Sequence, residues 1–274
     1  SRSDYEIFSN IAHLMGKGKE FTCGLNEEGW IKKIYNETRD RALEKKLSMP
    51  TYDDFMKKGW FKFEDPEEYI IMLKEFRQDP VKNPLDTPSG KIEIFSSTVE
   101  AFNYDDCPGY PAWREPIEWL GNASQDYPLH LISNQPKDKL HSQLDHGNFS
   151  RSRKINGREP IYINPDDARE RKIENNDIVE VFNSRGSCFA AIIISDTLMK
   201  GVVQMSTGAW YDPVNPEDEV SPCKNGNPNI LTPDKGTSRL GQGPIAHTCL
   251  VEVRLINGNL DTVSAYEPPK IIKR

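Results

Sequence analysis

Residues 157–195 read GREPIYINPDDARERKIENNDIVEVFNSRGSCFAAIIIS, and this stretch decides the fold. Ile161-Tyr162-Ile163 is a short apolar run with the alternation of a strand. Asn164-Pro165-Asp166-Asp167 then predicts a two-turn helix through Arg171. Asn164 is the cap, Pro165 takes the first helical position, and Asp167 closes a capping-box-like pair. Asn175-Asn176-Asp177 is a turn, and 178–183 and 188–195 are apolar-rich strands joined through Ser184-Arg185-Gly186-Ser187, a hairpin signal. Working outward, 129–132 is a four-residue apolar strand, 202–206 another, and 248–255 alternates Cys249, Val251 and Val253 as a last one. About six short strands with few helices and long polar connections predict a closed or nearly closed barrel.

Two of those connections carry chemistry. After 129–132 the chain breaks into Ser133-Asn134-Gln135-Pro136 and a polar segment with His141, Ser142, Gln143 and His146. Hydroxyl, amide and imidazole groups donate to phosphates and heterocycle edges without adding charge that repels an anion. A strand, a turn and a surface helix would account for the same residues. The second connection, 207–247, holds Asn225-Gly226-Asn227-Pro228-Asn229, Gly236-Thr237-Ser238-Arg239 and Gly241-Gln242-Gly243. Irregular loops of about 40 residues are uncommon unless functional or disordered. Trp210, Tyr211, Ile230 and Leu231 offer anchors for an ordered one, and its glycines let backbone N–H groups approach an anion.

The first hundred residues read mainly as capped helices. Asp4 precedes a helical face of Ile7, Phe8, Ile11, Ala12, Leu14 and Met15 stopped by Gly16. Asn26 caps a second helix with Leu25 and Trp30 as a hydrophobic staple and Ile31, Ile34 and Tyr35 on the buried face. Thr51 with Asp54 starts a third, closed by Gly59. Asp65-Pro66-Glu67-Glu68 starts a fourth, with Tyr69, Ile70, Leu73 and Phe76 following. Trp30, Trp60 and the phenylalanines here read as core. Between 79 and 128 prolines interrupt every run. Thr87-Pro88-Ser89-Gly90 is a turn feeding a half-buried strand in which Ile92 and Ile94 alternate, and 104–119, YDDCPGYPAWREPIEW, reads as an extended strap lying on a surface.

A chain of 274 residues, 36% hydrophobic and 28% charged with net charge −7, is ordinary globular material. The acidic balance excludes general nucleic-acid binding, and no run approaches the roughly 18 apolar residues of a membrane span. Five widely spaced cysteines without CxxC form neither a disulfide framework nor a metal site, and read mostly as free buried thiols. Ser1 follows no initiator Met or leader and reads as the middle of something longer.

The succession LHLISNQPKDKLHSQLDHG, GREPIYINPDDARERKIENNDIVEVFNSRGS, GVVQMSTGAWYDP and GNPNILTPDKGTSRLGQGPIAHTCLVEV, in unbroken order over 127–255, resembles the C-terminal cofactor-binding domain of the molybdopterin oxidoreductases. The likeness is to the dimethyl sulfoxide, trimethylamine N-oxide and biotin or methionine sulfoxide reductase branch. TPSGKIEIFS at 87–96 resembles the stretch preceding that domain. KLHSQLDHG and GTSRLGQG argue against a formate dehydrogenase or nitrate reductase.

The resemblance implies an α+β chain: a mainly helical segment (1–103), a proline- and aromatic-rich connecting strap (104–126), a six-stranded double-psi β-barrel (127–256) and a C-terminal tail (257–274). It implies binding of Mo-bis(molybdopterin guanine dinucleotide) by Ser133, Asn134, Gln135, His141, Ser142, Gln143, Asn227, Asn229 and Gln242, with Gly226 and Gly241 allowing close backbone approach. His146 and His247 fall outside that set, as surface or supporting residues. No catalytic residue and no metal ligand is expected here, because in this branch both lie in an N-terminal remainder of the enzyme. The implied reaction is two-electron reduction of a small S-oxide or N-oxide, with electrons from a c-type haem donor, in the periplasm or alternatively the cytoplasm. The alternative is a non-redox binding module on a double-psi barrel. Two ligand-facing polar loops at opposite ends of the domain favour the enzyme over the scaffold.

Overall fold

In the computed structural model, which describes residues 2–64, 69, 71–258 and 260–268, six strands close into a barrel. The strands are β1 (Leu129–Ile132), β2 (Pro160–Ile163), β3 (Ile178–Asn183), β4 (Gly186–Ile194), β5 (Val202–Met205) and β6 (Cys249–Leu255), in the order β1-β5-β2-β4-β3-β6. β1 pairs parallel with β5 and β2 parallel with β4, while the other neighbours are antiparallel. Alternation sends Leu129, Leu131, Ile161, Ile163, Val179, Val181, Val203, Met205, Val251 and Val253 into one fully buried core. At about 1.5–3 kcal/mol for each large apolar side chain removed from water, that core holds the barrel together. The opposite residues form a row across four strands, Ile132, Gln204, Tyr162 and Ile193 in register, on the outer wall.

The six expected barrel strands are all present, with the local chemistry shifted in two places. The Asn164 side chain accepts from Asp166 N at 2.9 Å and Pro165 opens the helix Pro165–Glu170. Asp167 does not close a capping box; its carboxylate accepts from Gly201 N at 2.7 Å and ties the helix to the turn before β5. The hairpin is tighter than expected, since β4 already begins at Gly186, where a Cβ would meet Ile230 Cγ1 at 2.8 Å. The long connection after β5 is ordered: Asp212, Cys223, Lys224, Asn225, Pro228 and Leu231 are buried along it.

The chain divides into two compact units, Ser1–Lys91 and Ile92–Arg274. The first holds α1 (Asp4–Leu14), α2 (Gly18–Thr22), α3 (Glu27–Glu44), α4 (Tyr52–Lys58) and α5 (Lys74–Gln78). Ser3, not Asp4, caps α1, its hydroxyl accepting from Glu6 N at 3.3 Å, whereas Asn26 and Thr51 cap α3 and α4 as read from sequence. Sequence reading missed α2, which is only five residues long. The proposed start of the fourth helix at 65–68 lies outside the described residues; the helix described there is α5, preceded by Leu73 in a left-handed conformation. The expected burial fails more broadly. Phe8, Ile11, Leu14, Met15, Ile31, Ile34 and Trp60 are exposed, Leu14 at 91%, and only Ala12 of the α1 face is buried. Periodicity defines a face, but among the described residues of this unit no element covers it. Ile92 and Ile94 form no strand and are 67% and 79% exposed, because two alternating residues after the Thr87–Gly90 turn find no pairing partner among the described residues.

Candidate functional site

The parallel pairing of β1 with β5 releases two loops from the same edge of the barrel. Pairing continues one step past the strands: Thr207 N donates to Asn134 O at 3.0 Å, and the Ser206 hydroxyl lies 3.4 Å from Asn134 Oδ1. Gly208, at φ 97°, then passes so close to the first loop that a Cβ would stand 1.8 Å from His141 O. Only glycine is compatible with that crossing. The Trp210 indole donates to Ser142 O at 2.8 Å and closes the interlock. The 225–229 segment joins from the other side, Asn225 Nδ2 donating to Trp210 O at 2.9 Å. The result is a cavity of about 400 Å³ lined by His141, Ser142, Gly208, Tyr211, Asn227 and Asn229 among others. A second hollow of about 350 Å³ shares Tyr211, Asn227 and Asn229 with it and extends to Arg185 and Glu219.

Beneath this rim lies a square of buried charges that sequence reading did not find. Lys139 Nζ reaches Asp145 at 2.9 Å and Glu159 at 2.8 Å, and Lys154 Nζ reaches Glu159 at 2.7 Å and Asp145 at 3.2 Å. The second oxygen of Asp145 accepts from Trp210 N at 3.0 Å and from the Tyr266 hydroxyl at 2.8 Å. Burial works against the Asp145 carboxylate, but Lys154, Lys139 and these donors outweigh it and hold its pKa at about 2. The Tyr266 phenol is pushed up by burial and by that carboxylate. Both polar loops and the segment near the C-terminus therefore hang on one side chain. Asp212 adds a second clamp, accepting from Ser264 N at 2.6 Å and Ala265 N at 3.0 Å.

The structure thus gathers part of the expected set. His141, Ser142, Asn227 and Asn229 line one cavity, so the loops meet at a single rim and are not at opposite ends of the domain. The reason is topological: β5 beside β1 brings the start of the second loop onto the first. Ser133 is buried below the rim, Asn134 binds the post-β5 segment, and Gln135 Nε2 lies 3.3 Å from His141 Nδ1. Gln143 is exposed one turn further on, with its backbone on Leu140. The close approach made by Gly226 is to the protein itself: a Cβ there would meet Glu159 Cβ at 2.8 Å. Gly241 and Gln242 are not brought to the cavity by any contact among the described residues. Gly241 N donates to the Ser238 hydroxyl, Gln242 Nε2 to Arg239 O, and Arg239 N to Asp106 in the strap. His146 packs its ring on Trp210, and His247 O is 2.7 Å from His130 Nε2; both side chains are exposed.

The remaining chemistry of the unit is quiet. Burial raises the Cys188 thiol and carries that of Cys249 to about 11, so both stay protonated near neutrality. Among the described residues no group of three His, Cys, Asp or Glu side chains could hold a metal ion, and no helix is long and apolar enough to cross a membrane. The site is a set of neutral hydrogen-bonding groups on a rigid base, suited to holding a polar ligand.

Comparison with known proteins places this geometry. The profile of the molydopterin dinucleotide binding domain matches residues 129–250, which include five of the six strands and both polar loops. The chain is 42% identical over 271 residues to the dimethyl sulfoxide/trimethylamine N-oxide reductase of Cereibacter sphaeroides, covering 98% of this chain and 33% of that protein. It is 43% identical over 268 residues to trimethylamine-N-oxide reductase 1 of Escherichia coli K12, covering 96% of this chain and 32% of that protein. The chain thus spans about a third of the length of these relatives. Among solved structures, acetylene hydratase from Pelobacter acetylenicus superposes with a TM-score of 0.67 over 93% of this chain and 33% of that one, at 16% identity, a likeness of fold. The closed barrel with a few helices is accordingly the double-psi β-barrel. Residues 129–250 match the molydopterin dinucleotide binding domain, and the chain is similar along nearly its whole length to the dimethyl sulfoxide and trimethylamine N-oxide reductases.

Proposed function

We propose that this chain is the C-terminal, cofactor-holding portion of a molybdenum-dependent S-/N-oxide reductase, with Mo-bis(molybdopterin guanine dinucleotide) as its cofactor. The observation that carries the proposal is the convergence of the two neutral polar loops on one cavity. The donors present fit such a group: among the described residues the Ser142 hydroxyl and the Asn229 carboxamide, both lining the cavity, have no hydrogen-bond partner of their own. When bound, the molybdenum centre would supply two-electron removal of an oxygen atom from the substrate. The residues here would bind and orient. His141, Ser142, Asn227 and Asn229 offer neutral donors to phosphate and pterin edges, with Gln143, Gly241 and Gln242 extending the contact. Ser133, Asn134, Gln135 and Gly226 keep the loops in place from behind. Asp145, held ionised, fixes the base of the rim and exchanges no proton near neutral pH.

The same reading divides the chain into a helical part of the enzyme body (1–103), a connecting strap (104–126), the barrel (127–256) and a tail (257–274). It makes the N-terminal remainder of the enzyme the principal partner and the source of the metal ligand and substrate funnel. A c-type haem is the electron donor, trimethylamine N-oxide, dimethyl sulfoxide, biotin sulfoxide or methionine sulfoxide the substrate, and the periplasm the location. The test is made in the full-length protein with Gln143→Ala and Asn229→Ala. Molybdenum and guanine content should fall while the melting temperature stays within about 2 °C of the parent. Full molybdenum content in both variants would remove these residues from the cofactor site. The chain on its own should retain no molybdenum and reduce no trimethylamine N-oxide; close to one metal per chain would overturn the division of labour.

A further inference from the structure

Across Asn134 from the loop cavity lies a larger one, of about 500 Å³, on the outer wall of the barrel. Its floor is the outward register row: Gln204 of β5 sits beside Tyr162 of β2, and Tyr162 beside Ile193 of β4. One wall is the buried pair Lys154–Glu159, and the rim carries Lys137, Asp138 and Arg153. Its lining shares no residue with those proposed to touch the pterin cofactor, and only Asn134 with those that keep the loops in place.

Part of the polar lining of this cavity is left unoccupied by the protein. The Tyr162 hydroxyl, the Gln204 carboxamide and the Lys137 ammonium have no hydrogen-bond or ion-pair partner among the described residues, and Arg153 is only stacked, 5.5 Å over the Phe149 ring. Lys154 and Glu159, by contrast, neutralise each other within the buried square. The cavity therefore combines an aromatic and an aliphatic floor, an amide able to donate and accept, one carboxylate suited to sugar hydroxyls, and two cations at the mouth. The volume lies within the roughly 300–1,000 Å³ of small-ligand sites. A planar heterocycle matches the floor, its edge the amide, and a terminal phosphate the two cations.

We propose that this outer-wall cavity is a binding site for a nucleoside monophosphate. It goes beyond the cofactor reading, and its test needs neither molybdenum nor reductase activity. The probes are GMP, AMP, guanosine and inorganic phosphate, titrated calorimetrically into the full chain. One equivalent of a nucleotide should bind with a dissociation constant below about 1 mM, more tightly than either guanosine or phosphate alone. Lys137→Ala with Arg153→Ala should weaken the nucleotide about ten-fold or more and leave guanosine unchanged. Gln204→Leu should weaken the nucleotide and leave phosphate unchanged. The two surface changes keep the fold, so their result stands even if Gln204→Leu destabilises the barrel. No nucleotide binding up to about 5 mM, binding of phosphate with nothing added by the nucleoside, or full affinity in the Lys137/Arg153 variant would each overturn the proposal.

Discussion

Replacing Asp145 by alanine should cost about 3–5 kcal/mol, because one deletion strands two buried cations. In the native square Lys139 and Lys154 each contact both Asp145 and Glu159, and every one of these side chains is at most 6% exposed. Without Asp145 the two ammonium groups share one carboxylate, and the Trp210 amide and the Tyr266 hydroxyl lose their acceptor. A carboxyl held at about 2 against an ordinary 3.8 is worth roughly 2 kcal/mol of charge coupling, before the lost hydrogen bonds are counted. The sign fixes a pH test: the folded pKa is depressed, so the contribution is full above the unfolded value near 4 and disappears as pH falls through about 2. The assay is urea unfolding followed by tryptophan fluorescence and circular dichroism. At pH 7 the Asp145→Ala midpoint should fall by about 2 M, and near pH 3 roughly half of the charge-dependent part of the gap should be gone. Asp145→Leu combined with Lys139→Met should recover part of the loss, since it removes one charge of each sign. A loss below about 1 kcal/mol at pH 7, or a gap that does not narrow with acid, would refute the view that this square fastens the loops.

Gly208→Ala should destabilise the barrel unit by at least about 2 kcal/mol, read as a lowered melting temperature, since it brings a Cβ against His141 O at a positive φ. Arg185→Met should cost about 1.5–3 kcal/mol and speed proteolysis within 104–119, because Arg185 holds Glu118 of the strap through two bonds of 2.5 and 2.8 Å. With a thiol reagent at pH 8, exposed Cys23 should react first and half-buried Cys107 more slowly, while Cys188, Cys223 and Cys249 should wait for unfolding. Fast labelling of a barrel cysteine would contradict its place in the core.

The barrel was legible because Val179 and Val181, or Cys249, Val251 and Val253, alternate at strand period and turn residues punctuate them. The polar loops were legible as loops, and four of their side chains do share a cavity. What joins them was not. Lys139, Asp145, Lys154 and Glu159 look like any solvated surface in a sequence that is 28% charged, and only closure of the barrel sets them against one another. The α1 face shows the converse error: Ile7, Phe8, Ile11 and Leu14 have helical spacing, yet spacing says nothing about which surface will cover them. Ile92 and Ile94 were too short a run for alternation to mean pairing.

The parallel pairing of β1 also has a consequence in time. Its two neighbours, β5 and β6, lie about 70 and about 120 residues further along, so β1 cannot be flanked on both sides until almost the whole barrel sequence has left the ribosome. Until then its apolar side chains and open backbone edges need shelter from other chains.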